Sequence, residues 1–391
     1  MKLIYPVNAR IPTEKAHGLQ IMKMCEAFAS LNKLSEIELI VPFRIGGLKK
    51  DPFEYYGIKK KFKITKIFCF DLFWIKILPK KFCFYLEYLS FAFFAAAFLF
   101  FARRSKENIF YSRDYVLLYF LSFWRRPVAE IHDYRSQRPR RWIKRAMARS
   151  KKIITNSPGT REYLQEHYEI PNNKFLVAPN GVDFDYFQIK ETKSEARERL
   201  SLPLNPSIIG YIGRLETMGE EKGIPELIEN FAVLAQKRGD VIFLIIGGPD
   251  HLVGEYRQKA AELGIDAKRI FFMGQTRYDL IPLYMRAIDV AVLPFPWIRK
   301  FNQTTSPIKV FEFMAAGKII VGYDSPALKN YLNQTNAILY NPEIKNDLAF
   351  KLDFSLKNYE SAKKLAQQAL SDARRHTWAS RAERIIDFIN S

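Results

Sequence analysis

Twelve short apolar runs separated by amphipathic stretches constrain this chain more than any other feature of its sequence. They fall at residues 2–7, 37–41, 109–111, 128–132, 152–156 and 175–178, and again at 208–213, 241–246, 270–273, 290–293, 318–321 and 337–340. Helical stretches such as 18–30, 225–237 and 307–316 fill the gaps. Runs of that length between helical segments predict parallel strands joined by helices, the α/β class. A single open sheet of a dozen strands would be unusually large, so the pattern predicts two doubly wound sheets. The break is expected in the polar stretch 191–206, which ends in Pro203 and Pro206. Domains are therefore expected over 1–190 and 206–375. A last helix over 376–391 offers Trp378, Ile385, Ile386 and Phe388 to a core.

With 391 residues, 48% of them hydrophobic, each half can bury a full core. Cys25, Cys69 and Cys83 are odd in number and lack zinc spacing, as expected of reduced thiols. The first residues run straight into a strand-like segment, without the apolar core and cleavage site of a leader. A cytoplasmic setting is expected, and the sequons at Asn302 and Asn333 then carry no glycan.

Charge is unevenly spread. Residues 1–180 hold 33 Lys and Arg against 15 Asp and Glu, whereas the remainder holds 28 against 26. Such asymmetry points to a polyanionic partner: nucleic acid, an anionic membrane or a phosphorylated acceptor. No nucleic-acid-binding motif or base-stacking signature is present, so no nucleic-acid partner is expected. Residues 135–152 contain nine cations and no acid. Arg138, Arg141, Arg145, Arg149 and Lys152 follow helical spacing there, beside Trp142 and Met147. This stripe reads as an ordinary solvated face or as an attachment to anionic lipid. The uncharged segment 88–102 is shorter than the roughly 20 residues of a membrane span. It reads as a buried helix between layers or as a segment lying in a membrane interface.

Ligands of open α/β sheets bind beyond the carboxyl ends of the strands. The first strand-to-helix loop reaches Gly18, placed to open a helix whose free amides could meet a phosphate. It is not a G-x-G-x-x-G loop, which speaks against a nicotinamide or flavin. His132 and Asp133 stand at the end of the fourth apolar run. In the second half Gly213-Arg214 ends a strand, and Lys222-Gly223 precedes a helix. Two cations in one such loop suit a diphosphate, Arg by paired bonds and Lys as a point charge. Glu216, Glu220 and Glu221 lie between them, so a solvated charged loop is the plain alternative. In the stretch 304–317, Ser306 suits an N-cap and Pro307 the first helical position. Glu312 follows among apolar neighbours. A carboxylate there calls for a partner, and a ribose diol is a good one.

These residues resemble the family 4 glycosyltransferases of the GT-B fold, over nearly the whole chain. The resemblance rests on Lys15-Ala16-His17-Gly18, Pro179-Asn180-Gly181-Val182-Asp183, Gly213-Arg214 with Lys222-Gly223, and Ser306-Pro307 through Glu312 to Gly317. It implies two Rossmann-like domains facing a cleft, and a C-terminal helix crossing back to the N-terminal domain. It further implies a nucleotide diphosphate sugar donor, retention at the anomeric carbon and no cofactor or metal. Arg214 and Lys222 would hold the diphosphate. Thr305, Ser306, Pro307 and Ile308 would cradle phosphate oxygens, and Glu312 would take the ribose hydroxyls. Gly18 would let the first loop approach the diphosphate, His132 would contact the transferred sugar, and Gln275 would lie near the base. The acceptor is expected to be a glycan or lipid-linked hydroxyl at the inner membrane face, in cell-surface polysaccharide or glycolipid synthesis. A sugar-nucleotide epimerase of the same fold is the alternative.

There are two departures. Thr304 stands where the family often has a second glutamate, and residues 217–221 resemble a small insertion between Arg214 and Lys222. Asp183-Phe184-Asp185 spells a metal-binding D-x-D, but without the context of the fold that uses it.

Overall fold

The computed structural model describes residues 1–46, 48–75, 77–102, 105, 107–132, 140–217, 219–296, 304 and 306–391. Asp133, Arg135, Arg138, Asn302 and Thr305 lie outside them.

The chain divides into two compact units, Met1–Asn180 with Trp378–Ser391, and Gly181–Thr377. The division therefore falls at 180/181, ahead of the expected 191–206. The intervening residues have their partners in the second unit. Phe184 and Phe187 join its core, and Val182 N–H donates to His376 O at 2.9 Å. Arg197, on the helix Lys193–Arg199, is buried and locked there. Its Nε donates to Ala287 O at 2.9 Å, and its Nη2 lies 2.7 Å from Asp289 Oδ2.

The first unit is built on seven parallel strands in the order β3-β2-β1-β4-β5-β6-β7. They are β1 Lys2–Pro6, β2 Glu36–Pro42, β3 Lys63–Ile67, β4 Ile109–Ser112, β5 Val128–Ile131, β6 Lys152–Thr155 and β7 Phe175–Val177. Strand β3 has no counterpart among the expected runs. Its sequence Lys-Ile-Thr-Lys-Ile mixes two exposed lysines with half-buried residues, as suits an edge strand. Lys63 Nζ lies 3.5 Å from the buried Glu38 carboxylate on β2, and Thr65 Oγ1 donates to it at 2.6 Å.

The segment expected over 88–102 belongs to a longer helix, Lys80–Ala102. One face packs into the unit, where Phe91, Ala95 and Leu99 meet Phe110, Leu117 and Leu121. The other face is exposed, so the segment is only half a core helix. The last helix, Trp378–Asn390, buries Trp378, Ile385, Ile386 and Ile389 in the first unit. Phe388 is only partly buried, its ring 4.2 Å below Lys152 Nζ. All three cysteines are free and buried.

The second unit has six parallel strands in the order β12-β11-β8-β13-β14-β15. They are β8 Ser207–Ile212, β11 Val241–Ile246, β12 Ile270–Phe272, β13 Val290–Val292, β14 Ile319–Tyr323 and β15 Ile338–Tyr340. A small antiparallel pair, β9 Glu216–Thr217 and β10 Glu220–Glu221, occupies the suspected insertion. In both sheets the first strand sits at the switch in order, between β2 and β4 or between β11 and β13. That is where an open α/β sheet leaves a crevice.

Candidate functional site

In the second unit, glycines let the backbone pack closely at the strand ends beside the switch. Gly213 N–H donates to Ile246 O at 2.9 Å, and Gly247 N–H to Gly274 O at 2.8 Å. At Gly247, φ is +145°, and a Cβ would lie 1.7 Å from Gly213 O. Only glycine fits there, because both the backbone angle and the neighbouring carbonyl exclude a side chain. Asp250 steadies the neighbouring turn, its Oδ1 accepting from Gln275 N–H at 2.7 Å. The Gln275 side chain is exposed above it.

The β9–β10 hairpin brings the two cations together. Leu215 N–H donates to Gly248 O at 2.8 Å, and Lys222 N–H returns to Leu215 O at 3.1 Å. The longer spacing between Arg214 and Lys222 is thus taken up by a folded excursion. Tyr211 Oη donates to Arg214 O at 2.5 Å, and Arg214 Nε donates to Glu216 O at 3.1 Å. Burial, and then the Arg214 charge, pull the Lys222 ammonium down to about 8. Of the acids in the loop, Glu221 accepts from Tyr256 Oη at 3.1 Å. Gly223 follows with φ +74° and caps the helix Ile224–Lys237. A Cβ on it would meet Phe295 O at 2.3 Å, so the start of this helix is pressed onto the chain leaving β13.

That chain leads to Thr304, Ser306 and the helix Ile308–Ala315. The cap lies one residue later than expected. Pro307, extended at φ −69° and ψ 123°, is the N-cap and Ile308 the first helical residue. Ser306 is buried just before it. Glu312 is 1% exposed, on the second turn. Tyr278 Oη donates to its Oε1 at 3.2 Å. Lys309 Nζ lies 2.6 Å from Oε2, at an angle that leaves that oxygen without a hydrogen bond. The Tyr278 ring stacks on Tyr186 at 5.3 Å. Burial, and then Glu312, hold the Tyr278 phenol well above its usual range.

The first unit fills its strand ends differently. His132, just after β5, has Nε2 2.9 Å from Glu130 Oε1. Burial and Arg113 push its imidazole down to about 4, against the pull of Glu130. Glu130 is fully buried and gathers several partners. Tyr5 Oη donates at 3.0 Å, Gln20 Nε2 at 3.2 Å and Arg381 Nη2 at 2.6 Å. Burial alone would raise its pKa, but Arg381 and His132 hold it well below the carboxylate range. Arg381 also donates to Pro179 O at 2.8 Å. The reading from sequence missed Glu130, Arg381, Tyr5 and Gln20. A lone acid inside the four-residue strand Val-Ala-Glu-Ile was the available signal.

Gly18 is the third residue of the helix Ala16–Ala29 rather than its opening. The space that a Cβ would take is occupied by Tyr56 Oη, at 2.2 Å, and by Thr13. Its lack of a side chain is accounted for by packing within its own unit. The basic stripe lies on Arg141–Arg149. Arg145 covers the Phe123 ring at 4.6 Å, Arg149 donates to Ser122 O at 2.6 Å, and Lys144 pairs with Glu169 at 2.6 Å. Among the described members of the stripe, Arg145 and Arg149 are thus engaged locally, as is Lys152 over Phe388. Asp185 belongs to a short turn, and no group of three potential metal ligands exists among the described residues.

Residues 77–186 match the family model for glycosyltransferase family 4, and 192–372 match that for group 1 glycosyl transferases. The chain belongs to the family 4 glycosyltransferases. TuaH of Bacillus subtilis, named for a glycosyltransferase role in teichuronic acid biosynthesis, is 27% identical over 56% of this chain and 52% of its own. A D-inositol 3-phosphate glycosyltransferase of Stackebrandtia nassauensis is 26% identical over 61% of this chain and 54% of its own. The chain spans about half the length of the curated relatives it matches. Its fold is GT-B, shared with solved structures. HepE from Anabaena, crystallised with UDP, superposes with a TM-score of 0.72 at 18% identity, covering 100% of both chains. A glycosyltransferase from Rickettsia africae does so with a TM-score of 0.73 at 18% identity, covering 100% of this chain and 98% of its own.

Proposed function

We propose that this protein is a retaining glycosyltransferase that moves a sugar from a nucleotide diphosphate donor to a hydroxyl of a glycan or lipid-linked acceptor. The observation that carries this reading is that Arg214 and Lys222 stand close enough in one strand-to-helix loop for the Arg214 charge to act on Lys222, beside the closely packed backbone of Gly213 and Gly247. Two cations beside bare backbone suit a diphosphate, which needs both charge and close approach. Glu312, buried and held by Tyr278 and Lys309, keeps lone pairs on both oxygens that could accept from a ribose diol. The complex of HepE with UDP-glucose favours a donor of that kind.

In the proposed reaction the bond from the anomeric carbon to the diphosphate breaks, and the acceptor oxygen bonds to the same face. The acceptor proton passes to the departing phosphate oxygen. Arg214, Lys222 and the amides at the start of Ile308–Ala315 offset the charge that develops on the leaving group, which makes a metal unnecessary. Ser306, Pro307 and Ile308 supply that cradle, Gln275 lies toward the base, and His132 serves the sugar. The first unit, with its excess of cations, takes the acceptor at the cytoplasmic face of a membrane.

Arg214→Ala is expected to lower turnover about 10²–10³-fold, and Glu312→Gln to weaken donor binding about tenfold or more. Both are read by transfer from UDP-, GDP- and ADP-sugars, with folding checked by circular dichroism. Folded variants that transfer at the wild-type rate would refute the assignment. Isomerised donor without acceptor would mark an epimerase instead.

A further inference from the structure

Residues 82–102 contain a single charge, Glu87. The structure turns it inward. Glu87 is buried, its Oε1 lies 2.7 Å from Arg44 Nη2, and Arg44 Nε donates to the same oxygen at 3.1 Å. With Glu87 withdrawn, the outward face of this stretch carries no charge at all. Phe82, Tyr85, Leu89, Phe93 and Phe100 run along it at helical spacing, all exposed. A helix that is apolar all round is ordinarily enclosed; this one is enclosed on one side only.

The loop after β3 extends the same surface. Trp74 is 65% exposed and Ile77 91%. The loop is fastened to the helix, since Phe70 N–H donates to Ser90 Oγ at 3.0 Å and the Phe68 ring meets Phe94 at 5.4 Å. A contiguous aromatic surface of this kind marks a docking site. Charge selects the occupant. Lys80 and Lys81 are exposed where the helix begins, Lys63 and Lys66 are exposed on the adjacent edge strand, and residues 1–180 carry the excess of cations noted above. Aromatic rings bordered by lysines suit the headgroup region of an anionic bilayer.

We propose that the first unit docks on an anionic lipid bilayer through the outward face of Lys80–Ala102 and the loop bearing Trp74 and Ile77. The helix lies in the plane of the interface. Its length of 23 residues would suffice for a span, but its inner face is committed to Leu117, Leu121 and the Arg44 pair, which a crossing would strip away. This deepens the membrane-side part of the function proposed above and rests on it only for the acceptor's location.

The test is flotation of the full-length protein with vesicles of phosphatidylcholine, alone or with about 30% phosphatidylglycerol. Binding is expected to be at least about tenfold stronger to the anionic vesicles than to phosphatidylcholine alone, and to weaken without being lost in about 0.5 M salt, where surface attraction is screened. The doubly substituted Leu89→Glu/Phe93→Glu protein, altered only at exposed positions, is expected to lose at least about tenfold in partitioning. Indole fluorescence should shift to the blue on vesicle binding, and Trp74→Phe should remove most of that shift. The proposal is overturned if salt alone releases the protein, if the double variant binds like wild type, or if sedimentation shows a dimer that the double substitution splits. A thermal shift with UDP-glucose in the absence of lipid keeps the two readings apart. Lost docking with donor binding intact overturns only this proposal, and intact docking without donor binding overturns only the donor assignment.

Discussion

The two sheets end at their switch points in opposite ways. In the second unit the strand ends at Gly213 and Gly247 are packed backbone to backbone, with Arg214 and Lys222 in the loop that follows. In the first, Tyr5, Gln20, Glu130, His132 and Arg381 gather around β1 and β5 and are bonded mostly to one another. On the function proposed above, the second unit receives the charged donor, while in the first the charges around Glu130 hold the unit together and leave only His132 to the sugar. The same topology thus carries a proposed site in one unit and a knot of mutual bonds in the other.

The contrast breaks most decisively at Arg381. Arg381→Ala leaves the Glu130 carboxylate buried without its strongest partner. It should destabilise the first unit by about 3–5 kcal/mol, seen in calorimetry as an early transition with the second unit unmoved. A loss below about 1 kcal/mol would refute the knot.

Acid should work on the same cluster. Folded His132 is held near 4, against an ordinary value of 6.5. Below 6.5 the unfolded chain takes up that proton first. The stabilisation is therefore whole above pH 6.5 and drains away as pH falls toward 4, by about 3 kcal/mol. Urea melts of His132→Asn over that range should show a flatter slope than wild type.

The second unit offers the smallest and sharpest effect. With Lys222 near 8, a bound diphosphate should restore its charge. Calorimetric titration with donor at pH 8 should then register an uptake of about half a proton, and affinity should fall as pH rises further. Lys222→Arg should remove both.

What the sequence disclosed follows the same division. Arg214, Lys222 and Glu312 stand in local patterns of strand, glycine and helix start, so their neighbourhoods were readable. The cap lies at Pro307, one residue on from Ser306, because the Ser-Pro pair is the favoured N-cap and first-residue pattern and here the helix starts one residue later. Strand β3 went unseen because its lysines imitate a loop. The uncharged segment 88–102 stops at Glu87, which reads as a polar boundary in sequence but is an inward ion pair within the helix Lys80–Ala102. Arg381 carries no local signal at all, since its partner lies 251 residues away.

That separation bears on how the chain is made. The ribosome delivers Glu130 long before Arg381, by roughly 10–50 s at ordinary elongation rates. Throughout that interval the amino-terminal sheet carries a carboxylate awaiting its counter-ion, and the unit synthesised first is among the last to be completed. During its own synthesis the nascent chain is thus a natural client for chaperones, and truncations that remove only the final helix should accumulate in aggregates.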